Sequence, residues 1–246
     1  MVATTQAPHP PLSDYYKTEG ERRRLLDRLF DRSARDYDRV CGMMDFGSGV
    51  GYRKDALLRA GLKEGMRVLD VATGTGPVAR SAAEIAGAGN VLALDPSFGM
   101  LLQARAATGS PVVRGLAEAL PWRDESFDFL SMGYALRHVA DLTTTFVEYR
   151  RVLRPGGRLL ILEIARPKSR WMYWPLRFYL GRVVPYLTRL RTRNRDAERV
   201  MRYFWDSIDR CVPPAEIEAA LTAAGLAASR PRIRFGMMAE YVATRR

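Results

Sequence analysis

The run VLDVATGTG at residues 68–76 carries the strongest chemical signal in the chain. Val68 to Ala72 read as a buried strand, and Pro77 to Ala86 as a helix with proline in its first turn. Between them Gly74 and Gly76 let the backbone pass close to a ligand, and the helix start offers unpaired N–H groups. Asp95 ends the next strand, nineteen residues beyond Gly76, where an acidic side chain can accept both hydroxyls of a ribose. The pattern predicts a nucleoside-containing cofactor. Gly74-x-Gly76-x-x-Ala79 also satisfies the loose dinucleotide fingerprint, so a nicotinamide oxidoreductase is one competing class. Asp70 disfavours it, because a carboxylate four residues before the first glycine suits a cationic amino group and repels a pyrophosphate.

The elements that must position these residues alternate along the chain. Strands are expected at 91–94, from 112, at 127–132 and at 158–164, with helices over 97–107 and 141–153, the latter N-capped by Asp141. Such alternation means an α/β fold with a parallel sheet covered on both faces. Ahead of it, Glu21 to Arg39 has the apolar spacing of an amphipathic helix, and a second helix is expected over 52–60. After Pro213-Pro214 come a short helix and two strands flanking Gly236.

A chain of 246 residues at 47% hydrophobic composition suffices for one domain. The expected division is a disordered or extended tail at 1–20 and a single domain at 21–246, with a helical cap at 21–62 and a basic aromatic lid at 166–212. Cys41 and Cys211 sit in no metal-ligand spacing and read as inert thiols, so no metal is expected. The most apolar stretch, 171–190, is broken by Pro175, Pro185 and three arginines and cannot span a membrane. The expected location is therefore cytoplasmic, with membrane association left open.

Net charge is +12, and 35 of the 39 basic residues are arginine. Such a balance points to nucleic acid, an anionic membrane or an acidic ligand. The charge is local: residues 166–202 hold eleven basic residues against Asp196 and Glu198, leaving 28 basic and 25 acidic residues elsewhere. In that segment Leu176, Tyr179, Leu180, Val183, Val184 and Leu187 form a helical apolar stripe interrupted at Pro185. It reads as a lid over the cofactor cleft with arginines on its solvated face, or as a lid that also lies on an anionic membrane. An RNA-binding protein is the remote alternative. No nucleic-acid module appears, so no nucleic-acid partner is expected.

Further blocks follow the glycine-rich turn: LALDPSFGML, AEALPWRDESFD, YALRHVAD and RVLRPGGRLLILEIARP. In order and spacing they resemble the ubiquinone/menaquinone biosynthesis C-methyltransferases, from about residue 30 to the C-terminus, including Ala34-x-x-Tyr37-Asp38 and Arg202-Tyr203-x-x-x-Ser207-Ile208. The resemblance implies a class I methyltransferase, Rossmann-like, with a seven-stranded mostly parallel sheet. It implies S-adenosyl-L-methionine as cofactor, S-adenosyl-L-homocysteine as product, and a hydrophobic small-molecule acceptor of quinol or phenol type, with or without a prenyl chain. A secondary metabolite or lipid head group is the alternative acceptor, and an oligomer is left open. Cofactor residues carried over are Asp70, Ala72, Thr73, Gly74, Thr75 and Gly76 at the methionine end, Asp95 and Pro96 at the ribose, Met100, Leu116, Ala117 and Glu118 around the adenine, and Gly133 under the sulfonium. The family usually has Asn where His138 stands and Asp or Asn where Leu116 stands, and Leu116 cannot hydrogen-bond an adenine amino group through its side chain.

Methyl transfer from a sulfonium is an in-line displacement, and carbon attacks only when conjugated to an oxyanion. A base must therefore act at a phenolic oxygen. Arg137 matches the family arginine and, being permanently charged, can stabilise a phenolate or orient water, while His138 or a water accepts the proton. Glu163 ends the fifth strand and reads either as a group at the substrate or as an anchor for a loop. Tyr37, Tyr134, Tyr203 and Trp205 are the expected acceptor-pocket walls.

Overall fold

The computed structural model describes residues 6–45 and 49–246. A helical cap of α1 (Glu19–Asp45) and α2 (Gly49–Arg59) precedes the alternation β1 (Val68–Val71), α3 (Pro77–Ala86), β2 (Val91–Asp95), α4 (Phe98–Thr108), β3 (Val112–Arg114), β4 (Phe127–Gly133), α5 (Leu142–Val152) and β5 (Leu153–Ile164). The lid follows as α6 (Arg170–Phe178), a π-helical turn at Tyr179–Val183, α7 (Val184–Thr192) and α8 (Arg195–Asp209), before α9 (Pro214–Ala223), β6 (Leu226–Ala228), β7 (Arg232–Arg234) and β8 (Met238–Arg245). Strands lie in the order β3-β2-β1-β4-β5-β8-β6, parallel from β3 to β5 and antiparallel at β8. The seven expected positions hold eight segments. β6 and β7 pair with successive stretches of one edge of β8 and are separated by Ser229 to Pro231, where proline cannot donate to the ladder.

Burial explains why these strands read as unbroken apolar runs. All of β1 is buried, and helices cover both faces. One face packs Leu69, Leu130 and Ile161 with Phe146 and Tyr149 of α5 and Ile217 and Leu221 of α9. The other packs Val68, Phe129 and Leu160 with Val78 and Ala82 of α3 and Leu57 of α2. Each fully buried Leu, Val or Phe is worth roughly 1.5–3 kcal/mol relative to exposure, so these layers fix where β1, β2 and β4 end.

Cap and lid share a third core. Leu25, Leu26 and Leu29 of α1 meet Leu180, Val184, Val200, Phe204 and Ile208 from the lid. The expected helical stripe survives only in part, since Leu180 and Val184 are buried but Pro185 forces the π-helical turn. Proline has no N–H to donate, and its ring collides with the carbonyl four residues back, Gly181. The solvated face also differs from expectation. Besides arginines it carries exposed Trp171 (92%), Trp174, Phe178, Tyr186 and Leu190.

Residues 6–18, expected within a disordered or extended tail, run as a strap tied to the body. Gln6 N donates to Asp141 Oδ2 (2.5 Å), Leu142 N to Gln6 O (2.9 Å) and Val212 N to Pro8 O (2.8 Å). Leu12 and Tyr16 bury their side chains in the cap–lid core. Short apolar residues spaced among prolines give no periodic signal, so this docking is invisible to pattern reading. Leu12→Ala, at a site 1% exposed, should lower unfolding stability by about 2–5 kcal/mol through lost burial and a cavity. Urea denaturation checks this, and an unchanged midpoint would mean that the strap contributes nothing to the core.

Candidate active site

β1, β2 and β4 bring Asp70, Asp95 and Gly133 to one edge of the sheet. The chain leaves β1 through Ala72, which has φ +52°, and Tyr134 just beyond β4 has φ +60°. Non-glycine residues rarely adopt left-handed backbone, and these two of the five such positions among the described residues flank this cleft. Gly74 (φ +57°) and Gly76 (φ +88°) have different reasons to lack a side chain. A Cβ on Gly74 would meet nothing within 4 Å, leaving the loop crest open, whereas one on Gly76 would lie 3.2 Å from Ala104 Cα of α4. Gly133 permits another close approach, since its Cβ would fall 2.6 Å from Val78 Cγ2.

Two buried carboxylates face this loop. Asp70 accepts hydroxyl hydrogen bonds from Thr73 (2.6 Å) and Ser131 (2.6 Å). Asp95 accepts N–H groups of Gly74 (2.8 Å) and Ser97 (2.8 Å), which staples the loop to the end of β2. Loss of hydration pushes both pKa values up to about 6, against the pull of these hydrogen bonds. Neither has Lys or Arg at ion-pair distance among the described residues. A ligand that brings a cationic amino group and hydroxyl donors supplies what they lack, and S-adenosylmethionine carries both an ammonium and a ribose. The donor set therefore fits that cofactor.

The cap helix closes over the loop. Asp31 accepts Ser97 Oγ (2.5 Å) and Gly99 N (2.9 Å), putting a carboxylate on the positive end of α4. Asp38, seven residues on and so on the same helix face, accepts the hydroxyl of Thr75. Met100 is buried, and its N–H donates to Ser97 Oγ (3.1 Å). Pro96 and Leu116 line a cavity of about 180 Å³ with Arg23, Asp27, Arg114 and Gly115, at the ends of β2 and β3. Ala117 is buried nearby, while Glu118 accepts Ala140 N (2.6 Å) and thus holds the loop after β4.

Arg137 occupies a 3-10 turn after β4 and is wholly buried. Its Nη1 donates to Glu163 Oε1 (2.6 Å) and to Tyr134 O (2.6 Å), and Nε to Ser207 Oγ (3.2 Å). The guanidinium carbon lies 4.2 Å from the Phe204 ring centroid. Nη2 is buried with no hydrogen-bond partner. Glu163 also accepts Ile164 N (2.8 Å), so its carboxylate is engaged by Arg137 and its own strand.

His138 stands beside it, stacked on Tyr203 (5.5 Å, 27°) and edge-on to Phe30 (5.4 Å). Burial first, then the Arg137 charge, holds its pKa well below the usual value, so the ring is neutral at pH 7. Its Nδ1 is buried without a partner, and its carbonyl accepts Arg22 Nη1 of α1 (2.8 Å). Tyr37 packs edge-on to Phe30 (6.1 Å), close enough to Asp95 and Arg137 to feel both charges. Tyr37, Tyr203, Arg137 and His138 thus form one cluster. Tyr134 lies 6.0 Å from the Arg53 guanidinium, and Trp205 lines a groove on the outer side of the lid.

Several contributors escaped the sequence reading. Asp31 and Phe30 were within reach, because 30, 34 and 37, and 31 and 38, recur at helical spacing around a quoted block. Ser131 and Ser207 carry no such signal. Neither does His9 of the strap, buried beside the Arg137 carbonyl with Nε2 unpaired.

Comparisons with known proteins identify the family. The model of the ubiE/COQ5 methyltransferase family matches residues 17–245. A demethylmenaquinone methyltransferase of Symbiobacterium thermophilum is 31% identical, covering 92% of this chain and 94% of that one. Its Thermus thermophilus counterpart is 34% identical over 88% of this chain and 100% of that one. Among solved structures, a SAM-dependent methyltransferase of Thermotoga maritima superposes with a TM-score of 0.64 at 20% identity, covering 89% and 99% of the two chains. Oxidoreductase and RNA-binding readings are not favoured. The chain belongs to the ubiE/COQ5 methyltransferase family and is an S-adenosylmethionine-dependent methyltransferase.

Proposed function

We propose that the protein methylates a ring carbon of a quinol-type acceptor. The demethylmenaquinone methyltransferases to which it is similar support that acceptor class. The structural observation that carries the reading is a pair of buried, unpartnered polar atoms, Arg137 Nη2 and His138 Nδ1, on one aromatic-walled turn. Unsatisfied buried donors and acceptors cost about 1–3 kcal/mol each, and an acceptor hydroxyl would satisfy both kinds.

S-adenosylmethionine supplies an electrophilic methyl group on a cationic sulfur. In this reading Asp70 faces its ammonium and Asp95 its ribose hydroxyls, the turn at Ala72, Thr73, Gly74, Thr75 and Gly76 carries the methionine end, and Pro96, Met100, Leu116, Ala117 and Glu118 border the adenine. Gly133 keeps the floor flat where the reacting atoms meet. Neutral His138 accepts the proton of the acceptor hydroxyl, directly or through a water. Arg137 donates to the resulting oxyanion, whose electron pair delocalises onto the ortho ring carbon and makes that carbon the nucleophile; once methylated, that carbon loses its ring proton to water and the oxygen recovers a proton from His138, restoring the aromatic quinol. Glu163 is a positioning residue that fixes the Arg137 fork. Tyr37, Tyr134 and Tyr203 wall the acceptor, whereas Trp205, expected among them, lines the groove on the outer side of the lid. Because such acceptors are hydrophobic, we propose peripheral contact of segment 166–202 with an anionic membrane, each basic residue near the surface contributing about 1 kcal/mol. No described helix is long and apolar enough to cross a bilayer.

Four outcomes follow from these roles. Calorimetry with S-adenosylhomocysteine should show affinity rising from pH 5 to 7.5 with an inflection near 6, because burial raises both pKa values to about 6 and the ionised carboxylates accept hydrogen bonds better. Asp95→Ala should weaken that binding about tenfold or more at pH 7.5, the loss of roughly one charge-assisted hydrogen bond, and equal binding by both proteins would remove Asp95 from the ribose site. His138→Ala should lower kcat about 100-fold or more with S-adenosylhomocysteine affinity unchanged. Unchanged turnover would take His138 out of the reaction. In flotation assays the protein should rise with vesicles containing phosphatidylglycerol and stay down with phosphatidylcholine alone, and absence of flotation with both would end the membrane proposal.

A further inference from the structure

A groove of about 980 Å³ runs along the outer side of the lid, between α6, the π-helical turn, α7 and α8, with Tyr15 of the strap contributing to its wall. Its volume falls in the range of ligand sites. Trp174, Phe178, Tyr186 and Trp205 line it. Gly181 makes the closeness to Trp205 feasible, since a Cβ there would lie 3.2 Å from Trp205 Cδ1. The turn forced by Pro185 is therefore also the place where the lid opens.

Its charge is one-sided. Arg177, Arg182 and Arg202 reach the groove, and Asp206 is the one acid on the wall. Asp206 is engaged by the Tyr15 hydroxyl (2.6 Å), and Arg202 is engaged by Glu198 (2.9 Å). Arg177 rests 5.3 Å over the Trp174 ring and donates to the Tyr173 hydroxyl (3.3 Å), and neither it nor Arg182 has a carboxylate at ion-pair distance among the described residues. Two uncompensated guanidinium groups at an aromatic trough suit an anion attached to a hydrocarbon chain. The surroundings are apolar too: Trp171 and Leu190 stand exposed on the same lid.

We propose that this groove seats one anionic phospholipid molecule, its phosphate on Arg177 and Arg182 and its acyl chain along Trp174, Phe178 and Trp205. The site lies outside the proposed reaction centre. It deepens the membrane contact proposed above and rests on it, replacing a diffuse attraction with a defined seat.

Monomeric dihexanoyl-phosphatidylglycerol, titrated against tryptophan fluorescence, should give a saturable change, with dihexanoyl-phosphatidylcholine at least fivefold weaker and inorganic phosphate without effect. R177Q/R182Q should weaken phosphatidylglycerol at least tenfold. R170Q/R191Q removes the same charge from exposed positions off the groove and should change binding less than twofold, with thermal denaturation of both variants matching the parent. Equal losses in the two variants, equal binding of the two lipids, or full displacement of the lipid by single-stranded RNA would each overturn the seat. Saturable monomer binding with no vesicle flotation would keep the seat and retire the membrane contact. Flotation that survives equally in both variants, with no monomer binding, would do the reverse.

Discussion

The buried pair of Arg137 and Glu163 is the interaction on which the site depends. It joins the ends of β4 and β5, and through Ser207 and Phe204 it ties both strands to α8 of the lid. A guanidinium removed from water is tolerable only when it is paired and hydrogen-bonded, and removing one partner of such a pair costs about 3–5 kcal/mol. Sheet, turn and lid are therefore locked at the point where one unpaired guanidinium nitrogen is left over. Arg22 adds a second tie by binding the His138 carbonyl, which commits α1 to the same turn. The geometry of the proposed acceptor pocket thus follows from one ion pair and its neighbours more than from any loop.

At the opposite end of the cleft the electrostatics are reversed. Asp70 and Asp95 are buried without a cation, and each feels desolvation as its largest influence. Asp31 lies close enough to Asp95 to raise its pKa further, and α1 supplies Asp38 to the adjoining loop. A concentration of carboxylates around a glycine turn is an unfavourable arrangement for the protein by itself and a favourable one for a cationic ligand. Arg137 at one end and the carboxylates at the other give the cleft a polarity that matches an anion-forming acceptor next to a positively charged donor.

The α/β alternation and the N-cap at Asp141 were legible because each rests on local chemistry. Strand β5 begins at Leu153 and not at 158 as expected, because a register shift against β4 absorbs Pro155-Gly156-Gly157 within the ladder. The clustering of Arg137, His138, Tyr37 and Tyr203 was only half legible: their types were informative, but their meeting depends on α1 and α8 converging from opposite ends of the chain. The strap was not legible at all. Its anchors are backbone bonds with Leu142 and Val212, which leave no trace in residue type, and a bond from Gln6 N to the Asp141 carboxylate, whose visible role in the sequence is the helix N-cap.

The lid's charge follows a different logic from the rest of the molecule. Several arginines elsewhere are held by carboxylates or carbonyls, as Arg151 is by Glu148, Asp124 and the carbonyls of Trp122 and Leu120. Exposed pairs contribute about 0–1 kcal/mol, so such pairing decides position more than stability. On the lid the balance fails, with eleven basic residues against two acids in 166–202, and the mutual repulsion opposes compactness. The cap–lid core beneath, with Leu29, Val184 and Phe204, is apolar enough to hold the helices together despite it. Charge and exposed aromatics on the outer face add only local contacts to the fold, such as Arg177 with Trp174 and Tyr173, and the proposed contact with an anionic surface would give them a further role.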